Sequence, residues 1–245
     1  MACLKISESY WLGRGVFNGL GLSQLEERYT WPLSPATSKY ISDGTLFRFT
    51  ERLKLKLHEA WSQAVNEQDH DVQIEIANYI IKDWGGIKSL KESTLLKHIN
   101  LAKRLANDAN SPKSIPLGGV ASYSKLLSVA DPNRFAIFDA RVAVSLVAIQ
   151  LLSETKEGIH LGYLDGRNNL VGHSGKKVGF SFDSRFIKSN TRFQNWYKPS
   201  SKLVYAEYLT LLQNIALDLD VPISKLEMSL FADADALVEL CNQHF

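Results

Sequence analysis

The sequence predicts a mainly α, two-lobed protein, and three observations carry that expectation. Apolar residues recur at three-to-four spacing through most of the chain, the mark of amphipathic helices. One stretch, Ala140 to Leu152, is apolar almost all round, as a buried central helix is. Glycine and proline breakers punctuate these stretches at intervals that suit helices rather than strands. The length, 245 residues, fits one domain or two lobes.

The elements follow in order. The first 44 residues are aromatic and glycine-rich, without a clear period. From Leu46 to Ala64 the apolar positions are Leu46, Phe49, Leu53, Leu57, Trp61 and Ala64, which predicts one long helix. Asp71 is placed to cap a second helix carrying Val72, Ile76, Tyr79 and Ile80, which stops at Trp84-Gly85-Gly86. A third runs from about Ser93 to Asn107. The breaker-rich stretch Asn110 to Gly119 leads into a short helix, Ala121 to Ala130, which ends at Asp131-Pro132. Asp139 is the expected N-cap of the Ala140 to Leu152 helix. From Ser153 to Pro199 the period is lost, with a short strand expected at Val178 to Phe182. Two helices close the chain, the second opening on a capping box at Ser224-Lys225-Leu226-Glu227. The expected segments are thus 1–44, 45–152, 153–203 and 204–245.

Composition excludes several classes. Hydrophobic residues at 45% and charged residues at 22% are ordinary for a globular protein and rule out a fibrous or disordered chain. No apolar run is long enough to span a bilayer, so no membrane partner is expected. The start lacks the pattern of a secretory signal, and a cytoplasmic location is the expectation. Two cysteines, Cys3 and Cys241, cannot make a disulfide framework or a cysteine-based metal site, and the six histidines lack metal spacing. No metal and no cofactor are expected. His173 lies in a Gly-His-Ser-Gly-Lys-Lys run too short for a phosphate-binding Walker loop.

The net charge of +2 hides an asymmetry. Residues 160–203 carry eight Lys/Arg against two Asp, whereas 204–245 carry one Lys against seven acids. A basic segment before an acidic helical end suggests a face for a polyanion, with Lys176, Lys177 and Arg185 as contacts. A solvated loop is the other reading of the same charges.

The segment Ile115 to Leu146 carries the most specific pattern. It runs from a proline–glycine turn through a short helix bearing Lys125, a proline turn and an apolar tetrad to Asp139 and the buried helix. This order resembles the helix-hairpin-helix DNA glycosylase superfamily. Within it, Ala121-Ser122-Tyr123-Ser124-Lys125-Leu126-Leu127, Phe135-Ala136-Ile137-Phe138-Asp139 and Trp84-Gly85-Gly86 look like bacterial proteins with the 8-oxoguanine DNA glycosylase (OGG) fold. Leu226-Glu227-Met228-Ser229-Leu230-Phe231 looks like their closing helix. The hairpin departs from the superfamily in its order, Pro116-Leu117-Gly118-Gly119-Val120. Lys125 also lies 14 positions before Asp139, about one helical turn closer than the superfamily's lysine, whose place falls at Ala121.

The resemblance implies excision of a modified or damaged base from DNA, double- or single-stranded, with or without strand cleavage. Asp139 would stabilise the positive charge that builds on the sugar. Lys125, freed of its proton by burial, would attack C1′ and form a Schiff base. Backbone N–H groups at Gly118 and Gly119 would hold a phosphate, and Arg141 another. Trp196, with Tyr197, Phe193 and Trp11, would offer stacking for an extruded base. Each residue also has a plain reading: a helix cap for Asp139, a snorkelling amine for Lys125, an ordinary turn at the hairpin, a first-turn surface residue for Arg141 and a loop anchor for Trp196. The alternative function is a nucleic-acid-binding module, or an accessory protein of an antiphage operon, that keeps the fold without chemistry.

Overall fold

The computed structural model describes residues 6–31, 44–108, 114–187 and 189–245. Cys3, Lys188 and the expected loop positions at 32–43 and 109–113 lie outside the described residues. The fold is mainly helical. Its helices are α1 (Glu8–Trp11), α2 (Leu25–Arg28), α3 (Leu46–Asn66), α4 (His70–Asn78), α5 (Glu92–Asn107), α6 (Val120–Ala130), α7 (Ala140–Leu152), α8 (Val204–Leu219) and α9 (Ile223–His244). None is long and apolar enough to cross a membrane, among the described residues.

Each helix starts where local chemistry lets it. Thr45 caps α3 by accepting from the Arg48 N–H, and Asp69, rather than the expected Asp71, caps α4 by accepting from Val72 N–H at 3.1 Å. Asp71 instead falls in the first turn, where its charge still favours the helix dipole. The buried stripe of α3 is Phe47, Thr50, Lys54, Trp61 and Ala64: Trp61 and Ala64 are buried as expected, whereas the first half of the face is turned by one residue, with Leu46, Leu53 and Leu57 half-buried at its edge. Beyond Asn78, α4 widens into a π turn, Tyr79–Trp84, that ends at Gly85 and Gly86. One buried side runs through both pieces, Gln73, Ile76 and Ala77 continuing into Ile80, Ile81 and Trp84, while Val72 is left exposed. Arg134 donates to the carbonyls of Leu105 and Ala106, both at 2.9 Å, and so closes the C-terminal end of α5.

The core centres on α7, which packs along α9 more extensively than any other pair of elements. Ser145 in α7 donates to Leu230 O of α9 at 2.6 Å. Helix α6 packs on α5, α3 and the π turn. The capping box expected in α9 does not form. Pro222 precedes the helix with φ −63°, already suited to a helix start, and Glu227 turns inward as a buried carboxylate.

Between α7 and α8 the chain is irregular, as expected. Gln150 holds its beginning: the amide donates to Ile159 O at 3.0 Å and accepts from Ile159 N–H at 2.8 Å. A two-residue antiparallel pair follows, β1 (Arg167–Asn168) with β2 (Gly172–His173), Arg167 opposite His173. The strand expected at Val178 to Phe182 is instead a single bridge from Val178 to His173 and a 3-10 turn, Phe180–Phe182. Gly179 explains this. Its φ of +94° breaks the extended path, and a Cβ there would lie 2.7 Å from Asn169 O. Phe180 stacks on Phe186 at 4.1 Å and ties the segment to the core.

The extended tetrad before α7 is held by hydroxyls on both sides. Tyr205 donates to Ala136 O at 2.8 Å, Tyr208 to Ile137 O at 2.7 Å, and Ser124 Oγ accepts from Phe138 N–H at 3.1 Å. Removing one of these hydroxyls leaves a buried backbone group unpaired. Tyr208→Phe is expected to cost about 1–2 kcal/mol in urea unfolding, seen as a lower midpoint with an unchanged slope. An unchanged midpoint would show that the tetrad is held without it.

Candidate functional site

Asp139 is the pivot of the site. Its Oδ1 accepts from Arg141 N–H at 3.0 Å and Val142 N–H at 3.2 Å, which makes it the cap of α7. Its Oδ2 lies 3.9 Å from Lys125 Nζ. Ser124 anchors Phe138 from α6, so the helix bearing Lys125 and the loop bearing Asp139 are tied one residue away from the pair itself. The two residues singled out by the sequence are therefore brought together.

Lys125 is 3% exposed. Among the described residues its Nζ makes one hydrogen bond, to Ala121 O at 3.0 Å. An ammonium brings three donors, so a buried one with a single acceptor is poorly satisfied. Its ordinary charge is disfavoured accordingly: burial pushes the Lys125 amine down from the usual lysine value, Asp139 and Glu227 pull it back up, and Lys54 adds to the drop. Space for the side chain comes from Gly85, where a Cβ would stand 2.6 Å from Lys125 Cδ and 2.7 Å from Ile80 O.

A second ion pair lies in the same buried cluster. Lys54 Nζ donates to Glu227 Oε2 at 2.8 Å, with side chains 9% and 1% exposed. Burial raises the Glu227 carboxyl and Lys54 lowers it. Two indoles separate the lysines. Trp31 and Trp84 stack at 5.1 Å, Trp31 N–H donates to Trp84 O at 2.8 Å, and Lys125 Nζ stands 5.7 Å from the Trp31 ring while Lys54 Nζ stands 5.8 Å from that of Trp84. Phe231 closes one side, 4.7 Å from Trp31.

Lys54, Glu227 and Trp31 were not among the residues the sequence singled out. The signal for Lys54 was present: it is a lysine in a three-to-four stripe that includes Phe47, Thr50 and Trp61. For Glu227 it was a carboxylate inside Leu226 to Phe231, a run buried on every side.

Of the other candidates, Arg141 adjoins the site through its N–H to Asp139, and the rest are engaged elsewhere. Arg141 donates to Phe231 O and to Asp235, each at 3.0 Å, and covers the Phe231 ring. Arg185 forks onto Asp183 and reaches Asn242. Lys176 reaches Asn169 Oδ1 and Lys177 lies over Phe182, both exposed on the irregular segment. Trp196 is buried between Phe193 and His160, and Phe193 and Trp11 are buried as well, while Tyr197 is half-exposed. The hairpin glycines Gly118 and Gly119 are exposed, Gly119 with φ +78° at the start of α6. Gly118 borders a cavity of about 540 Å³ that is also lined by Lys97, His98, Arg104, Pro116 and Tyr123. His98 Nε2 is buried there with no hydrogen-bond partner among the described residues. No cluster of His, Cys, Asp and Glu suits a metal ion, among the described residues.

Compared with protein-family models, with curated proteins and with solved structures, the chain matches none.

The buried amine makes a prediction about stability. A lysine whose folded value is lowered sheds its proton in the folded state first, so the unfolded chain binds more protons and stability rises with pH across that window. Relative to Lys125→Met, the wild-type protein should gain stability from the lowered lysine value up to about pH 10, the range of an unfolded lysine. Urea titrations of both proteins across that range measure it. A pH-independent difference would mean that Lys125 keeps an ordinary proton affinity.

Proposed function

We propose that the protein is a DNA glycosylase of the helix-hairpin-helix kind, in which Lys125 is the nucleophile and Asp139 stabilises the sugar cation. The observation that carries this is the buried Lys125 amine, 3.9 Å from the Asp139 carboxylate that caps α7. A neutral amine beside a fixed carboxylate is the arrangement that attack on C1′ needs. As Nζ bonds to C1′, the glycosidic bond breaks and the base leaves with its electron pair and one amine proton. The sugar ring then opens, its oxygen taking a proton from solvent, and a protonated Schiff base remains. Asp139 meets the charge that develops on the sugar.

The supporting features are consistent with binding as well. The hairpin at Gly118 and Gly119 adjoins a groove that presents Lys97 and Arg104, a suitable place for a backbone phosphate. DNA, duplex or single-stranded, is the partner in this reading.

One observation favours a second reading. Lys125 Nζ is covered and bonded to Ala121 O. A protein that keeps the fold and binds nucleic acid without excising a base would look the same.

Two measurements decide between the readings. On a panel of oligonucleotides with modified bases, borohydride should trap a covalent complex with the wild type and none with Lys125→Gln. Asp139→Asn should lower base release by about 10²-fold or more with binding retained. DNA binding with neither trapping nor release on the whole panel would hand the case to the binding module. For the groove, replacing Lys97 and Arg104 by Ala should flatten the salt dependence of DNA binding by nearly one log unit for each phosphate that is no longer neutralised. An unchanged slope would place the phosphate-binding residues elsewhere.

A further inference from the structure

We infer that the buried Lys54–Glu227 ion pair is a positioning device for the proton on Lys125, its two charges acting on Nζ with opposite sign. The inference deepens the reading of Lys125 as the amine of the site and rests on it.

The geometry is that of a closed four-charge cluster. Lys54 and Glu227 meet at 2.8 Å, Lys125 and Asp139 at 3.9 Å, and the Trp31–Trp84 stack has one lysine at each ring. Lys54, Glu227 and Lys125 are each more than nine-tenths buried, so their fields are little screened by solvent. Pairing Lys54 with Glu227 is more than a fold contact in this setting. The pair is charge-balanced internally, yet each member reaches Lys125. Glu227 favours the ammonium and Lys54 the neutral amine.

The groups that act on Lys125 come from several elements: Lys54 from α3, Glu227 from α9, and Asp139 at the start of α7. The π turn brings Gly85 against its side chain. The Tyr29 and Tyr208 phenols also belong to the cluster. Burial, with Glu227 and Asp139, holds both hydroxyls well above their usual range, so they stay neutral. The balance on Nζ is therefore set by one cation and two anions, of which Asp139 is committed to the cap and the chemistry. Lys54 and Glu227 are the adjustable members.

The test is a pH titration of Lys125 by NMR of protein labelled with ¹³C at lysine Cε, the resonance identified by its loss in Lys125→Gln. Glu227→Gln removes the anion that retains the proton, and Lys125 should titrate about one unit lower. Lys54→Met removes the cation that expels it, and Lys125 should titrate about one unit higher. The double variant should return close to wild type. Both single variants break the same ion pair, so mere loosening of the core would move them in the same direction, toward an ordinary lysine. Opposite shifts support the inference. Shifts of one sign, or none, overturn it. Where one single variant does not fold, the other against the double variant still gives the sign. The pH profile of borohydride trapping should be displaced in the same two directions. If the wild type neither traps on nor releases base from any oligonucleotide, the glycosylase reading falls, while the NMR titration still decides the role of the pair.

Discussion

A single carboxylate holds the two halves of the site's logic. Asp139 uses Oδ1 for two free N–H groups in the first turn of α7, those of Arg141 and Val142, and leaves Oδ2 toward Lys125. The cap fixes the carboxylate at the positive end of a deeply buried helix, where negative charge is favoured. The tetrad Phe135 to Phe138 must then be extended and gripped, or the cap residue would wander. Tyr205, Tyr208 and Ser124 supply that grip from α8 and α6. Thus α8, whose residues touch neither lysine amine by hydrogen bond, is nonetheless what positions the carboxylate. The backbone around Asp139 is over-determined, which is how a fixed dipole or charge is kept ready without reorganising during reaction.

Burying four charges is expensive, and the structure shows how the expense is contained. Each of the two lysines faces a carboxylate that compensates its charge in the interior. The two indoles give both lysine amines a polarisable face. The π turn belongs to the same solution. It carries Ile80, Ile81 and Trp84 on its buried side and places Gly85, with no side chain, where the Lys125 methylenes pass. An alanine there would collide with both the lysine stem and the Ile80 carbonyl. The sequence Trp84-Gly85 is therefore a packing statement about Lys125 rather than only a helix stop.

This explains which features were legible in the sequence. Helices α3 and α5 to α9 could be placed because period and breakers are local properties, and Asp139 could be named as a cap for the same reason. The pairing of Lys125 with Asp139 came from order along the chain, and one helical turn of displacement was within reach of a lysine. Other features depend on tertiary contact. Lys54 and Glu227 are 173 positions apart, and neither carries a local sign of the other. A serine followed three residues later by glutamate reads as a capping box until a buried lysine competes for the carboxylate. The first half of the α3 face was displaced by one residue because a lysine was counted as polar when its partner makes it a core residue, whereas Trp61 and Ala64 are buried as expected. Val178 to Phe182 alternates like a strand, and only the left-handed Gly179 stops it from being one.

The hydrogen bond from Nζ to Ala121 O links the covering of Lys125 to its charge. It runs back one turn along α6, from the residue to the carbonyl four positions earlier. A charged donor holds such a carbonyl more strongly than a neutral amine does, about 1.5–3 kcal/mol against about 1. Losing the proton therefore weakens the same bond that keeps the amine turned away from any sugar. Deprotonation and release of the side chain favour one another, and the charges that govern one govern the other. Lys54 and Glu227 act on the proton, Asp139 fixes the point to which the freed amine lies nearest, and Gly85 leaves the stem room to follow. The cluster is thereby more than a sum of two ion pairs: the pair farther from the proposed chemistry controls whether the nearer amine is held or offered.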